Sequence, residues 1–245
     1  MDISAVCEKK EQASALEDLG LSIVFHPGNT LPYVFRDKDK DICMDMLNEQ
    51  HVLARSIDGI GFLKSYDYKG TVYADHSLYT YNKASRDLLL SLGISHDTAP
   101  LELTYRELAA RGMKDSSLLI YGRAPMMISA GCLYRNTEND RCEKNTENGH
   151  DLILKDRMNT DFPVICSCRY CYNIILNSVP ISLHNHMDKI KSLEPGSVRL
   201  YFTTESDKET KETAEYFIRL IKNGEKKSSP PFDRYTNGHF IHKVE

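Results

Sequence analysis

Asp97-Thr98-Ala99-Pro100-Leu101, then Thr104-Tyr105-Arg106-Glu107 running on to Gly112, then Ser117-Leu118-Leu119-Ile120-Tyr121, is the passage on which the fold turns. The outer pieces are short apolar runs of strand length. Between them Thr104 and Glu107 form a capping box, in which hydroxyl and carboxylate satisfy the orphan amides of a helix start. Gly112 stands where helices end. Strand, helix and strand in 25 residues make a βα crossover, the connection that parallel strands require.

Upstream the same alternation recurs. Residues 3–6, 21–25, 51–55, 59–63 and 71–75 read as strands. Residues 11–19 read as a helix closed by Gly20, and 37–47 as a helix with Ile42, Cys43, Met46 and Leu47 on one face. A third helix, 83–92, is capped by Asn82 and ended by Gly93. With 97–101 and 117–121 this makes seven strands within residues 1–125, which predicts an α/β fold built on a TIM-like barrel, complete or incomplete. An open doubly wound sheet is the rival. A chain that opens directly in a strand is expected to be cut from something longer.

Downstream the character changes. Residues 126–245 are expected to form a small cysteine-bearing α+β domain, metal- or cluster-binding, with a C-terminal helix and tail. Asparagine and glycine clusters at 136–140 and 145–149 mark turns, and 152–154, 162–165 and 198–202 read as strands of a second layer. Ser206 and Glu209 form another capping box, before an apolar stripe of Ala214, Phe217, Ile218 and Ile221 that reads as core packing.

Five of the seven cysteines fall between positions 132 and 171. Cys168-Arg169-Tyr170-Cys171 is a CxxC, whose spacer lets both sulfurs of a tight turn face one centre. The most economical four-thiolate set is Cys132, Cys142, Cys168 and Cys171. Cys166 is left over, because in an extended segment it faces away from Cys168. Such thiolates suit an iron–sulfur cluster or zinc. A zinc ribbon would show a second CxxC, and buried spare thiols are the plainer alternative.

The chain has 245 residues, 41% hydrophobic and 27% charged, with net charge -4, so nothing draws it generally to nucleic acid or anionic membrane. No apolar run approaches the ~20 residues of a membrane span, and the first ten residues lack the order of a signal peptide. A cytoplasmic protein without membrane partners is expected. In a reducing compartment seven cysteines argue for a metal site plus thiols rather than disulfides.

Several separated motifs together resemble one family. They are Tyr73-Ala74-Asp75 with Asn82, Leu101-Glu102-Leu103-Thr104, Tyr121-Gly122-Arg123-Ala124-Pro125-Met126-Met127, and Cys132. Leu154-Lys155-Asp156-Arg157, Phe162-Pro163-Val164, Cys168 to Cys171, Asn177-Ser178-Val179-Pro180 and Thr236-Asn237-Gly238-His239 complete the set, which spans about two thirds of the chain. The chain is similar in these to the collagenase-like peptidases of family U thirty-two, and most to the later barrel and cysteine region of long clostridial members. The family's usual N-terminal barrel half is absent, which adds to the expectation of a fragment of a longer parent. The resemblance implies a TIM-like barrel joined to a cysteine domain, with a four-iron four-sulfur cluster on Cys132, Cys142, Cys168 and Cys171. It further implies oxygen-independent hydroxylation of RNA bases or quinone precursors, hence RNA or a small aromatic substrate. The family's filing as proteases implies a peptide substrate instead.

Asp75 and Glu102, at barrel strand ends, are the candidate catalytic residues, joined by His239 on the strength of the family motif. Glu102 would act as general base or orient substrate, and its plainer role is to satisfy backbone amides or to pair with Arg123 or Arg157. Arg123, Arg157 and Asn82 are candidate substrate-binding residues, the arginines through a phosphate or carboxylate. His184-Asn185-His186, if extended, would turn two imidazoles to one side as metal ligands, and an exposed strand is the plainer reading. The chain lacks HExxH and Gly-x-Ser-x-Gly, so a peptidase would need a cysteine nucleophile with a histidine base. The remaining reading is a non-catalytic module in which zinc holds a loop-rich segment together.

Overall fold

A computed structural model describes residues 1–131, 133, 136, 150–224 and 229–242. The chain divides into two compact units, one made of Met1–Gly122 with Ile181–Glu245, the other of Arg123–Pro180. The expected domains are 1–125 and 126–245, whereas the first compact unit takes in both ends of the chain and the second is the insert between them. Residues 181 onward return to the first unit.

In the first unit β1 (Asp2–Cys7), β2 (Ile23–Phe25), β3 (His51–Ala54), β4 (Thr71–Ala74), β5 (His96–Thr98), β6 (Ser116–Gly122) and β12 (Ser197–Phe202) share one sheet. All pair in parallel, in the order β2-β1-β12-β6-β5-β4-β3. The outer strands β2 and β3 are joined by residues just past β2. Leu31 N–H donates to Leu53 O at 2.9 Å, and Leu53 N–H donates to Asn29 O at 2.9 Å. The sheet is thus mixed α/β in its connections, nearly closed and barrel-like, and the strands follow chain order around the ring. This is not the order of an open doubly wound sheet. A short antiparallel β11 (Ile181–Ser182) pairs with the end of β6.

Helices supply the crossovers: α1 (Lys10–Ser14), α2 (Lys40–Cys43), α3 (Ile57–Ser65), α4 (Lys83–Ser91), α5 (Tyr105–Arg111) and α6 (Met187–Ser192), with α7 (Asp207–Ile218) after β12. The capping boxes read at Thr104 and Ser206 are present at the starts of α5 and α7. Two expected strands fare differently. Residues 59–63 lie in α3, where Ser56 Oγ accepts from Gly59 N–H and starts the helix, and Ile60, Phe62 and Leu63 are buried. Parallel β3 and β4 need a crossover there, and that need overrides a short apolar run whose periodicity is ambiguous. Residues 198–202 form the seventh strand of the first unit, between β1 and β6, and not part of a second layer.

Strand alternation along β12 sends Val198, Leu200 and Phe202 to one side and Arg199 and Tyr201 to the other, all buried. The sheet interior is therefore polar. Ser4, Arg55, Asp75, Thr98, Ser117 and Arg199 are all buried.

The second unit is an antiparallel sheet, in the order β7 (Pro125–Ser129), β10 (Tyr172–Leu176), β9 (Asp161–Ser167) and β8 (His150–Lys155). The strands expected at 152–154 and 162–165 lie within β8 and β9. Among the described residues no helix is long and apolar enough to cross a membrane.

Candidate functional site

Chemistry in parallel βα barrels collects where the strands end, since there the loops diverge and side chains from several strands converge. At that end of the first unit Glu8 follows β1, Arg55 follows β3, and Asp75 with His76 follows β4, while Tyr201 comes from β12 and Tyr33 from the chain after β2. Arg55 Nη2 donates to Glu8 Oε1 at 2.6 Å and Arg55 Nε to Asp75 Oδ2 at 3.0 Å. The guanidinium also lies over the Tyr33 ring, 4.3 Å from its centroid. Tyr201 OH donates to the same Glu8 oxygen at 2.7 Å. One bond to each of two carboxylates fixes Arg55, which is fully charged at any working pH.

Asp75 is the hub. Its Oδ1 accepts from the His76 backbone N–H at 2.9 Å and faces His76 Nδ1 at 3.0 Å, and Arg199 Nη1 lies 3.8 Å away. Burial alone would raise the Asp75 carboxyl, but His76, Arg55 and Arg199 outweigh it and hold the group well below the usual carboxylate value. Facing the ionised Asp75, Nδ1 is the His76 nitrogen that donates, and the ring's lone pair, whenever it is neutral, is on Nε2. Nε2 takes no hydrogen bond among the described residues, and the side chain is 10% exposed between Tyr33 and Tyr201. A carboxylate-oriented imidazole with an open nitrogen is equipped to accept a proton. Burial pushes the hydroxyls of Tyr33 and Tyr201 and the thiol of Cys7 upward, so these stay protonated, and Cys7 is no thiolate nucleophile.

Of the residues expected to act, Asp75 alone lies in this group. Glu102 is half-buried in the turn after β5 and meets Tyr81, whose hydroxyl is raised to about 12 by burial and by that carboxylate. No ion pair links Glu102 to Arg123 or Arg157 among the described residues. Asn82 is exposed and caps α4, accepting from Ser85 N–H at 3.0 Å. Arg123 Nη1 donates to the carbonyls of Asn177 and Ser178 at 3.1 and 2.5 Å, which ties the two ends of the second unit together. Arg157 is exposed, and Asp156 shapes its turn by accepting from Met158 and Thr160 N–H, both at 2.8 Å. His239 is half-buried in a turn near the C-terminus. His184 and His186 are not extended. They lie in a single helical turn, with His184 Nδ1 2.7 Å from Ser182 Oγ and its ring edge-on to Tyr235. Glu8, Arg55, His76, Arg199 and Tyr201 were not singled out from the sequence. The only local signal was a charged residue directly after an apolar run, at Glu8 and Arg55.

In the second unit Cys168 and Cys171 occupy the turn between β9 and β10. Cys171 N–H donates to Cys168 O at 3.3 Å, and Cys171 has φ 53°, so the chain reverses within the CxxC. Both side chains are half-exposed, while Cys166 is buried in β9. Cys132 and Cys142 lie outside the described residues, and among the described residues no three His, Cys, Asp or Glu are grouped to hold a metal. The sheet register nevertheless defines where the segment between β7 and β8 departs and returns. Ser129 at the end of β7 pairs with Asn173, and Asn173 Nδ2 donates to Gly131 O. His150 at the start of β8 pairs with Cys166. Asn173 and Cys166 pair with each other two positions from the CxxC, so both departures lie at the end of the sheet where that turn sits. Compared with known proteins, the chain matches no family model, and neither a curated protein nor a solved structure matches it.

Proposed function

We propose that the first unit is a TIM-like barrel enzyme domain and the second a small cysteine unit holding a four-iron four-sulfur cluster on Cys132, Cys142, Cys168 and Cys171. Its activity would be related to the oxygen-independent hydroxylases of RNA bases or quinone precursors in the collagenase-like peptidase family. The observation that carries this reading is the register of the four-stranded sheet. The loop bearing Cys132 and Cys142 leaves and rejoins it at the end where the CxxC turns. β7 and β8 are the two outer strands, three spacings of ~4.8 Å apart, with the CxxC turn on the strands between them.

The donor set fits the group. Half-exposed thiols on a tight turn are soft ligands available to iron, and a reducing cytoplasm, where we place the protein, keeps them from pairing. A bound cluster would supply one-electron chemistry that side chains lack. The chain's own residues do the rest at the strand ends. Arg55 is held rigidly by Glu8 and Asp75, and His76 Nε2 accepts a proton from a substrate lying against Tyr33 and Tyr201.

Anaerobic purification tests this. A brown protein with broad visible absorption and iron and sulfide at about four per chain is the expected result, with both lost in Cys171→Ser. A colourless protein carrying zinc would replace the cluster by a structural metal module. A colourless, metal-free protein that cleaves casein or gelatin would replace it by a peptidase.

A further inference from the structure

Arg199 lies inside the sheet ring, side chain 2% exposed, and its charge is only partly answered. Its nearest carboxylate is Asp75 at 3.8 Å, and that group is already engaged by Arg55 at 3.0 Å and by His76. The guanidinium's other partners carry no charge: the hydroxyls of Ser4 at 3.3 Å, Ser117 at 3.5 Å and Thr98, and the Phe25 ring, whose centroid lies 5.2 Å away. Burial draws its pKa below the usual arginine value, in keeping with a cation short of counter-charge.

Barrel interiors are normally filled in layers by bulky branched side chains. Here Ser4 and Ser117 occupy such positions on β1 and β6, and they leave space. A cavity of about 280 Å³ opens at the starts of the strands, opposite to the ends that carry Asp75 and His76, and it reaches Arg199. Ser4, Ser117 and Ser197 line it, and Ser117 Oγ lies 2.7 Å from Ser197 Oγ. Exposed Lys114 and His96 stand at its rim with Asp2 and Asp115, and Arg86 lies 3.9 Å from Asp115 and offsets it. The volume is at the lower end of the ~300–1,000 Å³ typical of ligand pockets, room enough for a small molecule. A hydroxyl-lined cavity ending on a buried guanidinium whose nearest carboxylate is shared has the chemistry of an anion receptor, because arginine's donor fork matches carboxylate and phosphate.

We propose that this cavity binds a small oxyanion, inorganic phosphate or a short carboxylate, with Arg199 as the charge partner and the hydroxyls of Ser117 and Ser197 completing its shell. The ligand enters from the strand-start face, opposite to the strand ends, and Arg199, 3.8 Å from Asp75, lies between the cavity and the strand-end group.

Thermal unfolding of the whole chain in phosphate, in acetate and in chloride at matched ionic strength tests it. Phosphate, acetate or both should raise Tm saturably, as any ligand of the native state does, and chloride should not. The responding anion identifies the class. Ser197→Glu places a like charge in the cavity and should weaken the apparent affinity at least about tenfold. Arg199→Gln should abolish it, and if that variant does not fold, Ser197→Glu decides alone. Phosphate and acetate shifts no larger than chloride's, or a shift that Ser197→Glu leaves intact, overturn the assignment.

Discussion

Asp75 holds Arg55 at 3.0 Å, lies 3.8 Å from Arg199, and orients His76, so its removal leaves two buried cations short of a carboxylate. Asp75→Asn is expected to lower stability by about 3–5 kcal/mol, read from the shift in urea midpoint at unchanged slope. The same contact sets an acid limit. The folded pKa of Asp75 lies below its unfolded value, so its contribution is complete above the ordinary carboxylate value of ~3.9 and is lost as pH falls below it. Histidines act in a milder range. His26, His184 and His186 are all shifted downward, chiefly by burial, so below ~6.5 the unfolded chain binds more protons than the folded one. Stability should therefore fall between about pH 7 and pH 5.5, measured as Tm. Asp75 was legible because an acid closes an apolar strand. Arg199 was not, because Val198-Arg199-Leu200-Tyr201-Phe202 reads as an ordinary strand and nothing local reveals that its arginine turns inward.

Helix starts are the elements most plainly written in the chain, since a cap is a contact between residues three apart. Ser206 Oγ accepts from Glu209 N–H, and the Glu209 carboxylate accepts from Ser206 N–H at 2.8 Å. Ser206→Ala should lower stability by about 1 kcal/mol and Tm by about 2–4 °C in calorimetry. Where an element's identity depends on what lies beside it, the sequence was a poorer guide, as α3 shows. Gly122 is such a case at the end of β6. Its φ is 141°, and an added Cβ would stand 2.5 Å from Tyr201 O on neighbouring β12. Gly122→Ala forces these strands apart and should destabilise by about 2–3 kcal/mol, visible as a lowered urea midpoint.

Across the whole molecule, the ladder between β6 and β11 pairs Gly122 directly with Ile181, so the chain leaves for the second unit and returns at neighbouring Cα positions about 5 Å apart. Replacing residues 123–180 by a two-residue turn should leave a cooperatively unfolding first unit, checked by far-ultraviolet circular dichroism. Residues 1–125 alone should not fold, because β12 is missing between β1 and β6 and two parallel edges lie open. The sequence by itself determined the alternation of strands and helices, the caps, the change of character near residue 124, and the CxxC turn. All of these are set by neighbours a few residues apart. Only the tertiary structure decided that the last parallel strand joins the first, and that Arg199 meets Ser4 across 195 positions. It also decided which charges share Asp75. Pairing at that separation depends on which edges and cavities remain once every other element has packed, and no local pattern encodes that.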